Sequence, residues 1–253
     1  MTNGQLALVY TLLAAPLLVS AAFDLRRGRE ILWAVLRMTV QLGLVGLYIE
    51  ALFAVDSPWL NAVWIAVMIT VAGTSVLGKA GIPRRPVVVA AIVASMVPGI
   101  LLPLAVLVAV VRPEPWYAAS MVVPLVGMVL GNSLRGNVVA LSHFRTTLDR
   151  ERVLYASRLM SGARRRDALR PVIRGALQAS LAPQLASIAT IGLVSLPGMM
   201  TGQILGGAPP LTAIRYQIAI MLTILSAVSL AAVLNLAVTA RLLMDDHDMP
   251  AIE

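Results

Sequence analysis

Apolar residues in this chain fall in long, nearly uninterrupted runs, with none of the strict alternation of a half-buried strand. Seven such runs stand out: Leu6–Phe23, Met38–Val55, Trp59–Leu77, Val87–Val111, Trp116–Val139, Gln184–Leu205 and Leu211–Leu243. A helix crosses the roughly 30 Å hydrocarbon core of a bilayer with about 20 mostly apolar residues, so each run predicts a spanning helix. The last is longer than a bilayer requires and is expected to project into water. Pro58, Pro83 with Pro86, Pro113 with Pro115, and Pro209 with Pro210 fall in the gaps, where helices stop. The expected fold is all-α: a polytopic membrane bundle of about seven helices, forming a single domain over residues 1–253.

Composition makes a soluble fold untenable. The 253 residues are 59% apolar and 13% charged, against roughly 45–50% and about 25% in ordinary soluble domains. The charge then orients the spans. Eighteen of the 20 basic residues fall in Asp24–Arg37, Gly78–Pro86, Asn132–Pro183 and the C-terminus; only Arg112 and Arg215 lie on the other side. That asymmetry places the arginine-rich side in the cytoplasm, with the N-terminus out and the C-terminus in. The net charge of +8 thus reads as loops facing an anionic membrane surface, with no nucleic-acid partner implied. Val19-Ser20-Ala21 resembles a signal cleavage site. The basic cluster follows the apolar run instead of preceding it, so a retained helix is expected.

One long polar segment remains, Ser142 to Pro183, with nine arginines against Asp149, Glu151 and Asp167. Val153, Ala156, Leu159/Met160 and Ala163 recur at helical spacing; Gly162 interrupts, and Leu169, Val172/Ile173 and Ala176/Leu177 resume. The pattern predicts helix, turn, helix on the cytoplasmic side.

Chemistry is sparse. There is no cysteine, which removes disulfides, thiolate metal sites and a thiol nucleophile. Gly73-Thr-Ser-Val-Leu-Gly78-Lys79-Ala80 is one residue short of a phosphate loop. The position that should carry a hydroxyl for Mg²⁺ is Ala80, and the stretch ends an apolar helix. Neither H-E-x-x-H nor G-x-S-x-G occurs. Glu50 is the one carboxylate inside a predicted span, toward its outer end, where it is either a pathway group or an interfacial one. Arg37 and Gln41 share a helix face, a packing or snorkelling anchor. The tail Asp245-Asp246-His247-Asp248 is a solvated acidic end or a weak cation site. No metal-ligand set can be named.

The sixth run is the most informative. Ser195-Leu-Pro197-Gly198-Met199-Met200-Thr201-Gly202-Gln203 places Pro and Gly inside a span, where Pro removes a hydrogen bond and Gly lets the chain bend. A broken sixth helix is expected. On one reading its freed backbone lines a substrate pathway with Ser195, Met199, Met200, Thr201, Gln203 and Glu50. On the other it is a kink whose Gly198, Gly202 and Gly206 form a packing face, as Gly127 and Gly131 would in the fifth span. The two thioethers offer soft ligands, although adjacent residues diverge by about 100° on a helix.

The run Gly192-Leu-Val-Ser-Leu-Pro-Gly-Met-Met-Thr-Gly-Gln-Ile-Leu-Gly-Gly, with Ala213-Ile-Arg-Tyr-Gln217, closely resembles the bacterial iron-export ABC-transporter permeases. The plant aluminium-tolerance membrane proteins are similar. Ile31-Leu-Trp-Ala-Val-Leu-Arg37 and Val123-Pro-Leu-Val-Gly-Met-Val-Leu-Gly-Asn132 carry the resemblance further, from about residue 25 to 243. It implies a permease subunit of the bacterial inner membrane with no catalytic residues and no cofactor of its own. Two copies would pair with two copies of a separate ATPase that holds ATP and Mg²⁺, and alternating access would expel iron or another metal. The 142–183 loop would dock the ATPase through Arg158, Gly162, Ala163, Arg164, Arg165 and Arg166. Cargo other than metal, such as a nucleotide sugar, is the alternative; a secondary transporter or intramembrane enzyme would need ionisable groups at mid-depth or paired acids.

Overall fold

The computed structural model describes residues 3–55 and 57–243, and the described chain is almost entirely helical. It divides into two compact units, residues 1–55 and 56–253. In the first, α1 (Asn3–Tyr10) continues through one tighter turn at Thr11–Leu13 into α2 (Ala14–Ala22), and α3 (Gly28–Val55) returns beside them. The reversal uses left-handed backbone at Asp24 and Arg26. Ser20 Oγ steadies it by accepting the Arg27 amide at 3.2 Å. Tyr10 and Thr39 hydroxyls meet at 2.6 Å between α1 and α3. Helix α3 begins ten residues before the expected Met38, so Arg29 and Arg37 lie on it.

The second unit holds α4 (Pro58–Ala80), α5 (Pro86–Val111), α6 (Ala119–Arg150), α7 (Arg152–Met160), α8 (Arg165–Thr190), α9 (Gly198–Leu205) and α10 (Pro210–Leu242). Proline opens α4, α5 and α10, where its fixed φ suits a first turn and its missing N–H has no partner to lose. Gly81, at φ +70°, closes α4. The core is built on α6 between α4, α8 and α10, with α5 against α10. Ile92, Met96, Ile100, Val126, Val129, Val228 and Leu236 are fully buried in it.

Three glycines permit the closest approaches between helices. A Cβ on Gly99 would stand 2.8 Å from Ala231 Cα, one on Gly73 2.7 Å from Val93 Cγ2, and one on Gly136 2.6 Å from Val228 Cγ1. The expected packing pair, Gly127 and Gly131, is not of this kind. A Cβ on Gly127 would make ordinary contact with Met68, and one on Gly131 would meet nothing within 4 Å.

Among the described residues, six helices are long and apolar enough to cross a membrane: Gly4–Ala22, Gly28–Glu50, Pro58–Ala80, Pro86–Val111, Ala119–Arg150 and Pro210–Leu242. The expected seventh, Gln184–Leu205, is not one helix: its first residues end α8, seven are non-helical, and α9 follows. The fifth span starts at Ala119 instead of Trp116 and runs through Val139 to Arg150. The first nine residues of the 142–183 loop therefore complete α6, and α8 carries that loop straight on to Thr190.

Candidate functional site

Helix α8 lies antiparallel on α6. A Cβ on Gly175 would stand 3.2 Å from His143 Cε1, Ser180 Oγ donates to the Gly136 carbonyl at 2.9 Å, and Gln184 Nε2 donates to Asn132 Oδ1 at 3.4 Å. Each step along α8 thus moves toward the start of α6, and the helix stops at Thr190. Residues 191–197 then run without helix. Gly192, at φ +88°, turns the chain and its amide donates to the Ser195 carbonyl at 2.9 Å. Leu193 and Val194 project, 91% and 82% exposed.

The interruption is therefore the expected break in the sixth helix and not the alternative kink, and it spans residues 191–197 instead of centring on Pro197. Pro197 sits in extended backbone as the residue preceding α9, where its absent N–H costs no helical bond. A break leaves the last carbonyls of α8 and the first amides of α9 without helical partners. No side chain caps α9; Thr201 Oγ1 instead donates back to the Pro197 carbonyl at 3.2 Å.

The structure separates the two adjacent methionines. Met199 and Gln203, one turn apart on α9, line a cavity of about 350 Å³ with Ser120, Met121 and Pro124 of α6 and Tyr216 of α10. Met200 is not among its walls. Sequence spacing offered Met199 with Met200; the fold offers Met199 with Met121. Ser195, Gly198 and Gly202 are exposed, and a Cβ on Gly198 or Gly202 would meet nothing within 4 Å. Among the described residues of the second unit, nothing packs on this small-residue face of α9. Glu50 belongs to the first unit, exposed near the end of α3.

Two features escaped the sequence reading. The first is a buried polar chain through the second unit: Ser95 Oγ of α5 donates to Asn235 Oδ1 of α10. Asn235 Nδ2 donates to Asn137 Oδ1 of α6 at 2.6 Å, and Asn137 Nδ2 to the Ser133 carbonyl at 2.7 Å. Asn137 and Asn235 are wholly buried, and interhelical bonds of this kind contribute about 0.6–1.7 kcal/mol in membrane proteins. The signal was an asparagine inside the apolar run of α10. The second is Arg135, which falls inside the fifth apolar run, Trp116–Val139, and is counted with the arginine-rich side. It lies inside α6, fifteen residues before the helix ends, and it is exposed. An arginine facing lipid at mid-depth costs about 2.5–3.5 kcal/mol even on the mildest scale.

At the other end, α7 and α8 form the expected helix, turn and helix. Gly162, at φ +85°, makes the turn. Its amide donates to the Leu159 carbonyl at 2.9 Å, and the Ala163 amide to the Arg158 carbonyl at 3.1 Å. Two of the expected docking arginines are engaged inside the fold. Arg158 Nη1 donates to the Ala168 carbonyl at 3.3 Å, and Arg165 Nη2 to the Ala240 carbonyl of α10. Gly162, Arg164 and Arg166 are exposed, Ala163 half-buried. Arg164, Arg165, Arg166 and Arg241 also line a cavity of about 690 Å³ between α8 and α10. The elbow carries bare apolar side chains as well, with Val153 85% and Met160 89% exposed.

Residues 73–80 are helical throughout, so their amides are spent on α4 and cannot cradle a phosphate. No group of three or more His, Cys, Asp or Glu that could hold a metal occurs among the described residues. The Asp245–Asp248 tail lies outside the described residues.

Comparison with known proteins follows the same outline. The model of the uncharacterised protein family UPF0014 matches residues 3–244. The probable iron export permease protein FetB of Escherichia coli is 30% identical over 240 residues, 95% of this chain and 91% of the relative. The UPF0014 membrane protein STAR2 of Oryza sativa is 32% identical, over 92% of this chain and 81% of the relative. The protein ALUMINUM SENSITIVE 3 of Arabidopsis thaliana is also 32% identical, over 92% and 83%. No solved structure matches.

Proposed function

The chain belongs to the UPF0014 family of membrane proteins, and from that premise we propose that it is the membrane-spanning permease subunit of an ABC-type exporter. Its cargo is iron or another metal, moved out of the cytoplasm by alternating access across the bacterial inner membrane. A separate ATPase subunit binds ATP and Mg²⁺, and two copies of each subunit make the transporter. The name of the Escherichia coli relative supports an iron permease. The observation that carries the reading is the break at residues 191–197. Irregular backbone at membrane depth is tolerated only where protein or a water-filled cavity surrounds it, and broken helices of this kind line transport pathways. The open face of Gly198 and Gly202 supports a second copy across that pathway.

Docking falls to the α7–α8 elbow, where Gly162, Arg164 and Arg166 stand beside the uncovered Val153 and Met160. The test is co-purification with an ABC ATPase subunit of the same genome, co-expressed with this chain. Wild-type permease should bring the ATPase down, whereas Val153→Asp with Met160→Asp should lose it while the permease stays in the membrane. Undiminished co-purification of that double variant would move the docking site elsewhere; no ATPase bound to wild type would remove the coupling scheme itself.

A further inference from the structure

Arg135 lies about 15 Å in from the α4–α5 turn end of the second unit by two independent rulers. Ten residues along α6, Arg145 donates to the carbonyl of Gly81, at the end of α4; ten helical residues are roughly 15 Å. Two residues from Arg135, Asn137 is joined through Asn235 to Ser95. Ser95 is nine residues, roughly 14 Å, into α5 from Pro86. Both distances are about half of a roughly 30 Å hydrocarbon core.

Its direction follows from the neighbours of α6. Asn132, Gly136 and His143 meet α8, Gly127 and Arg145 meet α4, and Asn137 meets α10. At about 100° per residue, Arg135 points away from α10, into the gap between the α4 and α8 faces. One turn outward on the same face, Gly131 leaves open space. Among the described residues no ion pair or hydrogen bond engages the guanidinium of Arg135. Helix α8 ends and the break begins farther outward along α6.

An arginine inside a span is tolerated where it meets water, and a permanent cation in a water-filled path selects against bare cations. We infer that Arg135 lines the translocation pathway and binds an anionic group of the cargo, a carboxylate or a phosphate. This deepens the permease reading and rests on it: the metal travels as an anionic chelate, or the cargo is a phosphorylated solute. The planar guanidinium suits either group, because it can present two parallel N–H donors to a pair of oxygens.

The absence of native cysteine makes the test direct. Arg135→Cys, assembled with the ATPase, is treated with a water-soluble charged thiol reagent, with Arg27→Cys, 72% exposed and outside the docking elbow, as the reference. Labelling at 135 is expected; silence there with labelling at 27 places the residue in lipid or protein and overturns the inference. Wild type, Arg135→Lys and Arg135→Gln are then compared for cargo-stimulated ATP hydrolysis with ferrous ion, ferric citrate and a sugar nucleotide. Stimulation by ferric citrate or by the sugar nucleotide, lost at least tenfold in Gln and largely kept in Lys, supports the site and tells the two sources apart. Stimulation by ferrous ion alone, or equal stimulation of the Gln variant, overturns it. A wild-type complex that neither assembles nor hydrolyses ATP fails the permease reading instead, and labelling at 135 still reports on the water path.

Discussion

At the scale of single residues, spacing in the sequence identified glycines but not which of them bring helices together. Gly99→Ala forces a methyl group against the backbone of Ala231, and overpacking of this kind costs about 1–3 kcal/mol. Gly131→Ala meets open space and gains up to about 1 kcal/mol from helix propensity. Thermal unfolding of the detergent-solubilised variants should order them Gly131→Ala, wild type, Gly99→Ala from most to least stable. The reverse order would reject the α5–α10 interface. The small-xxx-small spacing was visible at 127 and 131, but it reports only that two small residues share a face. The partner helix that decides their use is remote in sequence. Arg135 was hidden for a related reason. Counting basic residues by side assigns every arginine near an apolar boundary to the loop, and Val138–Leu141 was too short a cue that α6 continues to Arg150. Asn235 was legible, since nothing else polar interrupts Ala231–Val238.

Among the elements, the broken helix was legible in its place but not in its form. Pro197 and Gly198 announced an interruption. The structure turns at Gly192 instead and leaves seven residues without helix, so Pro197 is only the entry to α9. Pro197→Ala adds an amide at a helix start, where no carbonyl awaits it. Transport by that variant is expected within about threefold of wild type, since a factor of three is well under 1 kcal/mol. Replacing residues 191–197 with seven alanines, which favour continuous helix, should abolish transport while the protein still reaches the membrane and binds its ATPase. Uptake measurements on the two variants decide between break and kink: loss in Pro197→Ala alone would restore the kink. The elbow was read more completely, because Gly162 interrupts two strongly periodic stretches and only a positive φ could be satisfied there. What periodicity could not show is that Tyr155 is buried while Val153 and Met160 are bare.

For the whole molecule, hydropathy sufficed for the class and for six candidate spans, because a bilayer demands long apolar runs whatever their neighbours do. It erred over Gln184–Leu205, which is the end of α8, seven non-helical residues and α9. The arginine distribution predicts that the elbow lies in the cytoplasm. In cells expressing the permease without the ATPase, Met160→Cys should resist an impermeant thiol reagent added outside intact cells and react once the membrane is opened. Labelling in intact cells would invert the topology. The central claim is that this chain and its ATPase together export a cargo past the break between α8 and α9. The measurement that tests it most directly is uptake into inverted membrane vesicles carrying both subunits, with iron offered free and as a chelate. ATP-dependent accumulation that requires both subunits and disappears when residues 191–197 are made helical is the predicted result; accumulation without the ATPase, or undiminished in that variant, would contradict it.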